Sequence, residues 1–152
     1  MFLKRLLILL TVLLSFLYPA AAEQDPAEDP VSIERDQPFL LQVTDDDPSV
    51  AYVLVRLQYG GGLLPLPLEG EYTRTVRQVM DDNTEAVNVL HLTPEGFWME
   101  DANCKNHDCV GEGMVTLENR EERVLWNMVV CLPHQLVAEL ITREEAIALL
   151  SY

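Results

Sequence analysis

Three cysteines and two histidines are the residues of this chain whose types and spacing could do chemistry. Cys104-Lys105-Asn106-His107-Asp108-Cys109 forms one short segment, and Cys131-Leu132-Pro133-His134 begins 22 positions after Cys109. Three chemistries fit them. Two thiols can pair as a structural disulfide and leave the third over. Alternatively, Cys104, His107, Cys109, Cys131 and His134 offer enough sulfur and nitrogen for the four ligands that zinc takes, although Cys-x4-Cys and Cys-x2-His are not diagnostic spacings. A redox nucleophile would need a thiolate poised by positive charge. Lys105 is the one basic side chain beside Cys104, whereas Asp101 and Asp108 would raise thiol pKa values, and no Cys-x-x-Cys pair is present. The structural disulfide is the expectation, with no cofactor and with zinc as the alternative.

Loop closure does not choose the pair. It contributes roughly 2 kcal/mol for Cys104–Cys109 and about 3–4 kcal/mol for a closure reaching Cys131, a gap that strain can erase. Residue character favours Cys104 with Cys109, because both lie in a polar segment with turn formers at Asn106 and Asp108. Cys131 ends the apolar run Met128-Val129-Val130, a place for a small buried residue. A folded domain could still bring Cys131 beside either partner.

Other motifs carry less. Gly60-Gly61-Gly62 lacks the Lys-Ser/Thr of a phosphate loop and reads as a hairpin end. Asp45-Asp46-Asp47 and Asp81-Asp82-Asn83 lack the spaced ligands and closing Glu of a calcium loop. The serines are Ser15, Ser32, Ser49 and Ser151, and none sits in a Gly-x-Ser-x-Gly elbow. Trp98 and Trp126, with Phe97 and Tyr52, read as core residues more than as a pocket lining. His91 reads as a satisfied strand residue. No catalytic constellation emerges, so an enzyme is not expected.

The elements that must position the cysteines are mostly strands. Ala51–Leu57 is a β-branched, apolar run ended by the three glycines. Leu63–Leu68 is apolar, but Pro65 and Pro67 deny ladder donors and mark an edge. Thr73–Val79, Ala86–Leu92, Phe97–Met99, Val124–Cys131 and Gln135–Ile141 follow, separated by Glu69-Gly70, Asp81-Asp82-Asn83 and Pro94-Glu95-Gly96. A helix is expected at the C-terminus, where Thr142 and Glu145 form a capping box before Ala146, Ile147, Leu149 and Leu150. The pattern predicts an all-β fold, a small barrel or sandwich with a short C-terminal helix.

Upstream, Lys4 and Arg5 precede an apolar stretch from Leu6 to Leu17 and Ala20-Ala21-Ala22, the three parts of a cleavable signal. Residues 1–22 are thus read as a signal peptide cut near Ala22, which makes the chain extracytoplasmic and its membrane contact transient. Residues 23–48 hold three Asp-Pro pairs and few large apolar side chains, and read as an acidic flexible spacer. Within them Phe39–Val43 could serve as a first strand or a cap, and the spacer is expected to be dispensable for folding. The β-domain is placed at 49–152. Without Lys4 and Arg5 the chain has 8 basic residues against 25 acidic ones, a net charge of −17. Such a surface repels phosphate backbones, so no nucleic-acid partner is expected.

The segments Asn103–Gly113 and Val129–Leu140 resemble the NusG domain II family. Cys104, Cys109, Gly113, Cys131, Leu132, Pro133 and His134 match its pattern of Cys-Pro-x3-Cys-Val-x2-Gly followed by Ile-Val-Cys-Leu-Pro-His/Asn. Lys105 stands where that pattern has proline, and 117–127 is longer than usual. The resemblance implies a compact all-β domain found in exported or membrane-anchored bacterial proteins. The functional expectation is a non-enzymatic extracytoplasmic module acting on a protein partner of unknown identity or in an envelope assembly. A thiol-redox or metal-binding protein is the alternative.

Overall fold

The computed structural model describes residues 39–151. The signal-peptide reading of 1–22 and the spacer up to residue 38 lie outside the described residues.

Among the described residues, eight strands form two antiparallel four-stranded sheets. One has the order β2 (Gly61–Pro65), β1 (Ala51–Arg56), β8 (Leu136–Thr142), β7 (Met128–Cys131). The other runs β3 (Tyr72–Val79), β4 (Glu85–Leu92), β5 (Gly96–Ala102), β6 (Val115–Thr116). The arrangement is sandwich-like and the sheets do not close into a barrel. Val53, Leu64, Val129 and Leu140 of the first sheet share one buried cluster with Val76, Leu90, Phe97 and Val115 of the second. Each such side chain contributes about 1.5–3 kcal/mol by leaving water.

Burial patterns follow from what covers each face. β4 alternates, with Ala86, Asn88, Leu90 and Leu92 inward and the residues between them half-covered or exposed, as a sheet with one packed face requires. β1 is buried on both faces from Ala51 to Val55, which explains its unbroken apolar run. Its second face is covered by Ala146 of helix α1 (Arg143–Leu150) and by Leu40 and Val43. Leu40 bridges Leu63, each amide donating to the other carbonyl at 2.9 Å. Arg143 donates to the carbonyl oxygens of Thr44 (2.8 Å), Asp47 and Ser49 (3.3 Å). Residues 39–49 are therefore tied to the outer face of the first sheet.

The proline-containing segment is the edge strand β2, as its missing donors demand. The Thr142 hydroxyl accepts from Glu145 N, and the Glu145 carboxylate accepts from Thr142 N at 2.7 Å, completing the capping box. At Gly96 an added Cβ would stand 1.9 Å from Val115 O; only glycine lets β5 and β6 approach there. Two expectations fail in the segment before β7. Val124 is 96% exposed and Trp126 68% exposed, and the strand begins only at Met128. A succession of hydrogen-bonded turns occupies 117–127, so the apolar residues there never enter a ladder.

Candidate functional site

The bulge in β5 is what brings Cys104 inside. Leu90 pairs with Met99 but Val89 with Asp101, so Glu100 is an extra residue on β5. With strict alternation, a strand holding Met99 inward would also hold Asp101 and Asn103 inward. The extra residue reverses the parity, and Met99, Ala102 and Cys104 are the buried ones. Asn103 then pins the chain by bonding across β4: its N–H donates to Val87 O at 3.0 Å, its Oδ1 accepts from Val87 N at 2.8 Å, and its Nδ2 donates to Glu85 O at 2.9 Å.

Cys109 comes from a different element. His107 takes a left-handed conformation (φ 54°) and opens a 3-10 helix, Asp108–Glu112, whose one buried residue is Cys109. That helix is held to β7 by Glu112, whose Oε2 accepts from Val130 N at 2.9 Å. The third sulfur belongs to Cys131, the last residue of β7, opposite Leu136 across a hairpin closed by Gln135 at φ 50°.

The three sulfurs lie within 4.8 Å of one another, and each cysteine is at most 3% exposed. Cys104 Sγ and Cys109 Sγ are 3.7 Å apart, with all three as free thiols. A cleft of about 320 Å³ opens over them, rimmed by Asp108, Glu112, Leu125, Leu132 and Pro133. Burial pushes the Cys109 thiol pKa well up, and the neighbouring Cys131 and Cys104 add to the effect. Burial likewise raises the Glu112 carboxyl, against the opposing effects of the Val130 N–H and Arg123; Asp108 adds to the rise.

Neither histidine joins the sulfurs. His107 is exposed on its turn. His134 is buried and bonds through Nδ1 to Asn88 Oδ1 at 2.8 Å, while burial holds its pKa below the ordinary value. The expected five-ligand set is thus split, with sulfur at one point and imidazole elsewhere. Leu132 and Pro133 are exposed at the hairpin tip, and Gly113 ends the 3-10 helix at φ 77°.

A second feature escaped sequence reasoning. The Arg123 guanidinium donates to Glu112 O (2.7 Å), Gly113 O (3.4 Å), Trp126 O (2.9 Å) and Met128 O (2.9 Å). This clamp fixes the 117–127 segment and holds Trp126 at φ 57°, a conformation that a bulky residue rarely adopts. Trp126 faces a cleft of about 510 Å³ that is also lined by Arg120, Glu121, Asn127, Glu139 and Glu145. Arg120 pairs with Glu145 at 2.8 Å and Arg56 with Glu139 at 2.6 Å. The signal was a basic residue among acidic neighbours before an aromatic, which no periodicity reveals.

No protein-family model matches the sequence, and no curated protein matches it. Among solved structures, this chain is similar to a DUF1312 family protein from Enterococcus faecalis V583, at 16% identity and TM-score 0.46 over 61% of this chain and 98% of that one. It is similar to the Lin0431 protein from Listeria innocua, at 15% identity and TM-score 0.48 over 62% and 99%. A DUF1312 family protein from Ruminococcus gnavus matches at 20% identity and TM-score 0.34 over 59% and 96%. These descriptions correct the NusG domain II resemblance: two of the three matched structures are described as DUF1312 family proteins and none by the NusG name. The physical reason is that the matched residues occupy local roles, a glycine at positive φ, a proline in a hairpin and small buried residues beside turns, that other β-domains also require.

Proposed function

We propose that this chain is a non-enzymatic extracytoplasmic β-domain that acts by binding a protein partner through the Trp126 face. The observation that carries the reading is a large exposed aromatic held in a disfavoured conformation by the Arg123 clamp. Such strain persists where surrounding structure imposes it, and it clusters at binding sites. The indole suits a cationic side chain through cation–π attraction, and Glu121 adds charge complementarity beside Glu139 and Glu145, which already pair with Arg56 and Arg120. The partner is therefore a protein presenting a basic residue next to an apolar one, and export rests on the N-terminal Lys4-to-Ala22 pattern.

The test is a fluorescence titration of the purified protein with arginine- and lysine-containing peptides. The expected result is a saturable change that weakens with salt, persists in Trp98→Phe and disappears in Trp126→Ala. No response to any basic peptide, or robust turnover of a small substrate, would overturn the reading.

A second reading is favoured by the convergence of the three thiols: a site built from sulfur. Thiol–disulfide exchange is the weaker form of it, since a buried thiol with a raised pKa supplies little thiolate at neutral pH.

A further inference from the structure

The dimensions of the cysteine cluster bear on what could occupy it. An ion bonded to sulfur at about 2.3 Å holds tetrahedral sulfur ligands about 3.8 Å apart and trigonal ones about 4.0 Å apart. The Cys104–Cys109 separation is 3.7 Å, and all three sulfurs fall within 4.8 Å. A disulfide needs one pair at about 2.05 Å and has no use for a third sulfur at the same point. Each cysteine is carried by a separate segment: the bend that follows β5, the 3-10 helix and the end of β7. Convergence of three segments on one point is what a ligand set requires.

We propose that Cys104, Cys109 and Cys131 form a three-sulfur site for one thiophilic metal ion, Zn(II) or Cu(I), with any remaining coordination position facing the cleft. Sulfur-only donors select these soft and borderline ions over calcium or magnesium. Zn(II) would complete four-coordination with a water or a carboxylate from the cleft, where Asp108 and Glu112 stand. Cu(I) would need no further ligand. Binding displaces the thiol protons, up to three for each ion, so uptake releases acid and strengthens as the pH rises. The supporting shell is in place: Asn103 fixes the chain before Cys104, and Glu112 and Arg123 fix the 3-10 helix against β7. Such outer contacts orient the ligands of a metal site. The proposal rests on the sulfur-site reading and is independent of the Trp126 face.

The experiment titrates the reduced, anaerobically purified protein with Zn(II) in one arm and Cu(I) in the other, each against a chromophoric chelator. One equivalent retained in either arm is expected, with protection of all three thiols from alkylation. Cys131→Ser should weaken retention at least tenfold, and His107→Asn, which removes the imidazole but tolerates the left-handed backbone, should leave it unchanged. X-ray absorption of the loaded native protein should count three sulfurs, which keeps the test decisive if a cysteine variant misfolds. Retention of neither ion, equal retention by a folded Cys131→Ser, or fewer than three sulfurs overturns the metal site. Failure to retain an ion together with a reversible disulfide on non-reducing peptide mapping would sink the metal and leave the broader sulfur reading standing.

Discussion

At the scale of single residues, His134 illustrates how an expected ligand becomes a structural group. Its ring is enclosed, bonded to the fully buried Asn88, and held by burial below its ordinary value of 6.5. The unfolded chain takes up this proton as the pH falls through about 6.5 while the folded chain resists, so the contribution is present above that pH and lost below it. Urea unfolding at pH 7.5 and 5.5 should therefore show a loss of stability that is smaller in His134→Gln; equal pH dependence in both proteins would remove the argument. The cysteines give a second prediction. All three are equally buried, so in the reduced protein each Cys→Ala change should cost about 1 kcal/mol. Under oxidising conditions a bonded pair would stand out by roughly 2 kcal/mol or more. Denaturation of the three variants with and without reductant reads both.

At the scale of elements, the β5 bulge sets which way Cys104 faces. Deleting Glu100 restores strict alternation, and Cys104 should then alkylate in the native state at least tenfold faster, as measured by mass spectrometry of trapped peptides. The opposite end of the domain changes an expectation. A spacer that ended at residue 48 would be expendable, but Leu40 bridges Leu63, Val43 packs on the same cluster, and Arg143 grips the carbonyls of Thr44 and Asp47. Losing two apolar side chains and a bridge costs about 2 kcal/mol or more, which for a domain of this size is roughly 5 °C or more. A chain starting at Pro48 should melt lower than one starting at Glu23 by that margin. Equal melting temperatures would show that residues 39–47 contribute nothing.

For the whole molecule, charge is the dominant property. A formal net charge of −15 implies self-repulsion in the folded state, which added salt screens over about 10 Å at 0.1 M. Raising sodium chloride from 10 to about 150 mM should raise the melting temperature while weakening any basic peptide bound at the Trp126 face. Opposite signs for folding and for binding distinguish screened repulsion within the chain from attraction between chains. A melting temperature indifferent to salt would mean that the carboxylates are too dispersed to repel.

Strands β1 to β5 and β8, the prolines of the edge strand and the Thr142–Glu145 capping box are determined by the sequence itself, because neighbours along the chain settle them. The unbroken apolar run of β1 fits its burial on both faces. Three decisions belong to the tertiary structure alone. One extra residue in β5 inverts the direction of everything after it, and single-sequence alternation does not locate that residue. Arg123 reaches back to carbonyls eleven and ten positions earlier, so the clamp that turns Trp126 outward exists only in the folded loop. Finally, Cys131 stands beside Cys104 and Cys109 because β7 and the 3-10 helix meet at the end of the sandwich. Sequence separation measures the entropy of bringing such groups together, but only sheet packing decides which of them meet.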